Sequence, residues 1–111
     1  MNRFSILQDK KECFVCGCVS NIHTHEVFFG KNRSKSIQDG CCVYLCGKHH
    51  NQSNEGVHFN HELDIFIKQK METMWLKYYN KTIDDFIKRY GRNYYGITTY
   101  EYKKIKENKY D

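Results

Sequence analysis

Metal-ligand residues crowd into one half of this chain. All six cysteines lie between Cys13 and Cys46, and all six histidines between His23 and His61, so residues 62–111 contain neither. Two short pairs stand out. Cys13-Phe-Val-Cys16 sets two thiols at the spacing of a zinc knuckle, and Cys46-Gly-Lys-His49 repeats that spacing with a thiol and an imidazole. Four nitrogen or sulfur ligands complete a tetrahedral zinc shell, the form a structural site takes. Residues 17–45 separate the pairs, room for a β-hairpin between the knuckle and a helix bearing the second pair. A chain of 111 residues buries a modest core, so a Zn2+ cross-link matters to its stability. Cys18 could stand in for Cys16, and Cys41 and Cys42 read as small hydrophobes. A thiol-redox role for Cys13 and Cys16 lacks the βαβ context expected of it.

The polar balance is compatible with nucleic acid and does not identify it. Eighteen Lys and Arg face thirteen Asp and Glu, a net charge of +5. Seven Phe, nine Tyr and one Trp argue against disorder. The start, Met1-Asn2-Arg3-Phe4, has no signal-peptide core, and no apolar run approaches the ~18 residues of a membrane span. The expectation is an intracellular chain without a membrane partner, whose cysteines stay reduced and bind metal.

The pattern predicts strands over His25–Phe29 and Cys42–Leu45. Lys31–Asp39 between them reads as a loop or short helix, and a short helix is expected from Cys46 to about Asn54. Asn60 is placed to cap a long helix to about Tyr79. Leu63, Ile67, Met71, Met74 and Tyr78 step by three or four along it as one buried stripe. Thr82 starts another helix, with Asp85 in a capping-box position and Gly91 as the stop. Residues 97–111 read as a helix capped by Thr98 or Thr99, or as a basic tail. The chain thus divides into a ligand-rich unit, 1–60, and a helical extension, 61–111, packed on it.

With His49 assigned to zinc, five histidines remain. His50 follows a ligand on a helix and faces another direction. Asn54, four residues on, would share its face. His25 opens the first strand and precedes Glu26, and His23 alternates with it on the same strand face. Two strands and a helix presenting a histidine make a site for one divalent metal, which can stabilise a phosphodiester leaving oxygen while a nearby base activates water. Taken singly, each histidine reads better as a solvated one, and His61 reads as surface; the group read together does not.

The chain resembles the HNH endonucleases, the ββα-metal or His-Me finger group, in their small phage and prophage form with a zinc knuckle. The residues that carry this are Cys13-x-x-Cys16, His25-Glu26-Val27-Phe28-Phe29-Gly30, Asn32-Arg33-Ser34-Lys35, Leu45-Cys46-x-x-His49-His50, Val57-His58-Phe59-Asn60 and Phe86 to Tyr94. The resemblance implies an α+β fold: a small zinc-stabilised ββα-metal, treble-clef-like unit followed by C-terminal helices. It implies a structural zinc on Cys13, Cys16, Cys46 and His49. It also implies a catalytic Mg2+ or other divalent ion on His25, His50 and either His58 or Asn54. Glu26 stands where the family carries its water-activating histidine. Either Glu26 is the base, or it is the ligand and His25 the base, or cleavage has been lost and binding kept.

On the same resemblance, Lys31, Arg33 and Lys35 lie in the segment facing the nucleic-acid backbone, where cations neutralise phosphates without reading sequence. A solvated loop is the alternative reading of those charges. The expected activity is hydrolysis of DNA by an enzyme acting in the cytoplasm of an infected or lysogenic bacterial host. The alternative is a non-catalytic zinc module that binds nucleic acid or protein, such as a phage accessory or inhibitor.

Overall fold

In a computed structural model, the structure describes residues 3–97. The reading of 98–111 as helix or tail falls outside them. The order is β1 (Ile22–Glu26), α1 (Arg33–Asp39), β2 (Cys42–Cys46), α2 (Gly47–His50), α3 (His61–Tyr78) and α4 (Ile83–Tyr90), with a single 3-10 turn at Gly30–Asn32 leading into α1. This is an α+β arrangement around one two-stranded antiparallel sheet. The register pairs Ile22 with Cys46, His23 with Leu45, Thr24 with Tyr44, His25 with Val43 and Glu26 with Cys42. No helix of the described residues is long and apolar enough to cross a membrane.

The first strand lies three residues earlier than the apolar run suggests, so His25 sits near its end and not at its start. Val27 and Phe28 are buried but have left the ladder. Val27 still donates to the Cys41 carbonyl, while the Ser36 hydroxyl takes over for Phe28, accepting from its N–H at 3.1 Å and donating to its carbonyl at 2.7 Å. A side chain from α1 thus replaces a strand partner, which frees the backbone to turn at Gly30. The segment between the strands is helical over Arg33–Asp39. Its leading Asn32 does not cap it but donates to the Tyr90 carbonyl at 2.9 Å, tying α1 to α4.

Helix α3 begins as expected, with the Asn60 side chain accepting from Leu63 N–H. Its buried face is rotated from the apolar stripe. Ile67 and Met71 are in the core, Leu63 and Met74 are half-buried, and Tyr78 is exposed. Asp64, Lys68, Glu72 and Trp75 are buried instead. Charged side chains enter because they are matched there. Lys68 pairs with Asp64 at 3.1 Å, one helical turn apart, and lies over the Phe29 ring at 4.3 Å from its centroid. Glu72 Oε1 accepts from Tyr94 N–H at 2.8 Å. The helix that follows carries the full capping box, with Thr82 accepting from Asp85 N–H and Asp85 accepting from Thr82 N–H, and it stops at Gly91 with φ 90°.

The core is aromatic. Phe28 meets Phe86, Tyr90 and Tyr94 at centroid separations of 5.3, 4.6 and 5.4 Å. One carboxylate organises its edge. Asp39, at the end of α1, accepts from Trp75 Nε1, Arg89 Nε and the Tyr90 hydroxyl at 2.9, 3.0 and 2.7 Å. Those donors belong to α3 and α4, so Asp39 locks both helices to the hairpin.

Glu72 yields a pH-dependent prediction. Its Oε2 is buried without a hydrogen-bond partner, and burial pushes its pKa up against the partial relief of the Tyr94 N–H. The unfolded chain then releases this proton first, near the ordinary glutamate value of about 4.3, so stability falls as pH rises from there through the raised native value. Glu72→Gln keeps the acceptor and removes the ionisation. In thermal melts its advantage over the parent chain is expected to widen as pH rises from about 4.3. An advantage independent of pH would count against this account.

Candidate metal centres

Two groups of ligand-type side chains converge among the described residues. The first is Cys13, Cys16, Cys46 and His49, with all four ligand atoms within 4.8 Å of one another. Cys13 Sγ lies 3.6 Å and Cys46 Sγ 3.3 Å from His49 Nδ1, and Cys16 Sγ lies 3.8 Å from Cys46 Sγ. Zn–S and Zn–N bonds of about 2.3 and 2.05 Å at tetrahedral angles require edges of about 3.8 Å for S···S and 3.6 Å for S···N. The group therefore fits zinc in both donor type and size. Its electrostatics point the same way. Burial pushes the Cys13 thiol up, but backbone hydrogen bonds at Cys46, Cys16 and Val15 outweigh it and bring it down to about 6. At Cys16 a backbone hydrogen bond lowers the pKa, but desolvation and the neighbouring Cys13 and Cys46 sulfurs raise it further. Sulfurs this close resist ionising together unless a cation joins them.

The remaining cysteines stand apart. Cys18 is exposed and engages its own turn at Ser20, so it does not displace Cys16. Cys41 and Cys42 are buried, and burial pushes both thiols up to about 12. They pack as hydrophobes, and neither joins Cys46 in the cluster.

The second group is His25, His50 and His58, again with ligand atoms within 4.8 Å of one another. Their ring centroids are 5.2 Å apart for His25–His50, 5.2 Å for His25–His58 and 4.7 Å for His50–His58. Nε2 of His50 lies 3.1 Å from Nε2 of His58. Each ring comes from a different place. His25 hangs from the end of β1, His50 from the last residue of α2, and His58 from the turn beyond. Two backbone bonds hold that turn against the helix: Val57 N–H to the His49 carbonyl at 2.9 Å, and His58 N–H to the His50 carbonyl at 3.2 Å. Gly56 permits the approach, because a Cβ there would stand 2.6 Å from the His50 carbonyl oxygen.

Burial, then the nearby His58 and His23, press the His50 pKa down to about 4, which leaves its ring neutral with a lone pair to give. Three imidazoles without a carboxylate suit zinc, nickel, cobalt or copper. Mg2+ demands oxygen ligands, so this donor set does not fit it.

Adjacent residues serve different groups. Opposed residues of an antiparallel pair share a sheet face, so Cys46 lies on the face of Ile22, Thr24 and Glu26, while His23 and His25 lie on the other with Val43 and Leu45. Helix α2 follows from Cys46 and sends His49 to the thiols and His50 to the imidazoles.

Glu26 falls on the opposite sheet face from His25 and outside both groups. Its Oε1 accepts from Arg3 Nε and Arg33 Nε, each at 3.0 Å. Burial raises its pKa, but the Arg3 hydrogen bond, the backbone and Arg33 more than offset this and hold the carboxyl below its usual range. Asn54 is exposed. Helix α2 ends at His50, so the helical spacing that would put Asn54 on the His50 face is absent. Lys31 and Arg33 are exposed, whereas Lys35 Nζ donates to the Arg89 carbonyl at 2.9 Å and is committed to packing α1 on α4. Arg3, the partner of Glu26, carries no sequence signal. His23 has only its alternation with His25, and its contact with His50 is a product of the register.

The first group predicts one tightly held zinc per chain. Cys46→Ala is expected to lose one equivalent of zinc by elemental analysis and to lower the melting temperature sharply. Unchanged metal content in the variant would exclude the assignment. No protein-family model, curated protein or solved structure matches the chain, so the reading of both groups rests on their own geometry.

Proposed function

We propose that this chain is a small metal-dependent nuclease of HNH type that hydrolyses DNA phosphodiester bonds. In this reading the hairpin and α2 form a ββα-metal, treble-clef-like unit, braced by zinc on Cys13, Cys16, Cys46 and His49. The observation that supports it most is the convergence of His25, His50 and His58 beside that cluster, from a strand, a helix end and a turn. A divalent transition ion held by the three rings would supply charge to stabilise the scissile phosphate and its leaving oxygen.

The chain's own groups supply the rest. Pairing with Val43 fixes His25, and the backbone clip at Val57 and His58 fixes His58 against His50. Lys31 and Arg33 are exposed cations on the segment leaving β1, suited to holding a phosphate backbone. Glu26, the expected base, is ionised at neutral pH but lies on the sheet face away from the three rings, so in this reading it must leave Arg3 and Arg33 and turn toward the scissile phosphate before it takes a proton from water. Arg33, now its partner, is the group that a phosphate would draw away. A carboxylate held this acidic is a weak base, so turnover is slow.

One observation favours a second reading, a zinc module of the same shape that binds nucleic acid or protein without cutting. Glu26, at the water-activating position, is bound by two guanidinium groups.

A supercoiled-plasmid assay separates the two. Nicking is expected with Co2+, Ni2+ or Zn2+ and not with Mg2+ alone. His50→Ala should abolish it, and Glu26→Gln should slow it about 10²-fold or more, as for loss of a general base. DNA retention with no nicking under any ion would establish the binding module. Equal nicking by His50→Ala would sink the nuclease reading.

A further inference from the structure

A chain of hydrogen bonds reaches His50 from behind. Its Nδ1 lies 2.8 Å from Nδ1 of His23, whose Nε2 lies 3.2 Å from Asn21 Oδ1. Asn21 Nδ2 in turn donates to Gln52 Oε1 at 3.0 Å. We propose that His23 is a positioning residue: with Asn21 and Gln52 behind it, it holds His50 in the tautomer that leaves the Nε2 lone pair facing His25 and His58. The proposal rests on those three histidines forming an ion site, and it names a fourth that binds no ion.

The polarity follows bond by bond. Because Asn21 uses its amide N–H on Gln52, its oxygen faces His23, and an amide oxygen only accepts. His23 Nε2 must therefore carry the ring proton. With one proton on the ring, His23 Nδ1 is a bare acceptor, and the proton between the two histidines belongs to His50 Nδ1. That leaves His50 Nε2 bare, 3.1 Å from His58 Nε2. Were both amides turned around, every bond would reverse and the proton would sit on His50 Nε2, where it would exclude an ion. Such outer hydrogen bonds commonly fix the tautomer of a metal-binding histidine.

The backbone is built for this chain. Gly47 N–H donates to the Asn21 carbonyl at 3.1 Å, and Gln52 N–H to the Gly47 carbonyl at 2.9 Å. A Cβ on Gly47 would occupy the space where the Asn21 and Gln52 amides meet. Asn21 itself takes φ 53°, a left-handed conformation that asparagine tolerates better than most residues. The register places His23 opposite Leu45, one side-chain step nearer α2 than His25 opposite Val43. So His23 meets the Nδ1 edge of His50.

The test uses the full chain loaded with zinc at its thiolate cluster. In long-range proton–nitrogen spectra of the imidazoles, His50 is expected as the pure Nδ1–H tautomer. His23→Phe removes the acceptor, and Asn21→Gly cuts the chain while accepting the positive φ; both should give mixed tautomers with zinc content unchanged. His23→Asn sets an acceptor oxygen near the old Nδ1 and should restore the parent spectrum. In parallel, Co2+ titration followed by its visible absorption should show affinity at the imidazole site falling about tenfold or more in His23→Phe and returning in His23→Asn. A proton on His50 Nε2 in the parent chain, or cobalt affinity unchanged in His23→Phe, overturns the proposal. If the parent binds no cobalt beyond the thiolate site, the ion-site reading fails and the proposal with it. A pure Nδ1–H tautomer in that case would show that the fault lies in the site and not in the relay.

Discussion

The register of one short strand pair underlies both clusters. Ile22 opposite Cys46 and His25 opposite Val43 put thiol-bearing and imidazole-bearing positions on opposite faces of the sheet. A slip by one residue would exchange the faces, moving His25 toward the thiols and burying Glu26 among apolar side chains. Two strands alone are marginal in water. The register therefore depends on what surrounds them: the Ser36 hydroxyl that ends β1, the Phe14 N–H to Tyr44 carbonyl bond that fastens the knuckle to β2, and the aromatic core behind. The four-ligand cluster closes the far end of the same hairpin, at Cys46.

The C-terminal helices are held to this hairpin by matched polar groups as well as by apolar contact. Asp39 collects donors from Trp75, Arg89 and Tyr90, so removing it would strand several donors at once. An unsatisfied buried donor costs about 1–3 kcal/mol, which makes such a hub worth more than any one of its bonds. Asp64, Lys68 and Glu72 show the same logic deeper in α3. Lys68 lies over Phe29, whose ring is 5.7 Å from His58 and 5.9 Å from His25. The packing of α3 thus backs the imidazole cluster through one aromatic ring.

Several elements were legible in the residues, each for a local reason. The caps at Asn60 and Thr82 and the stop at Gly91 are written in side chains next to the bonds they make. The two zinc-type pairs carry their spacing with them. Other features misled because their partners are distant. The apolar run after His25 looked like strand, but Ser36 lets it turn away. The apolar stripe of α3 pointed to Tyr78 as buried, but the buried face takes in Asp64, Lys68 and Glu72, which pair with one another or with the Tyr94 backbone. Helix α2 stops at His50, and so Asn54 loses its helical relation to that ring.

Residue types and spacing alone establish the inventory: two close-spaced ligand pairs, a surplus of histidines in the same half, and capped helices after them. Spacing and capping are short-range, so the chain states them directly. It took the assembled fold to show that His58 and not Asn54 joins His25 and His50, that His23 stands behind His50, and that Glu26 is bound by Arg3 and Arg33. Those are contacts between residues far apart in the chain. They follow from which strand faces meet and where a helix ends, neither of which any single segment encodes.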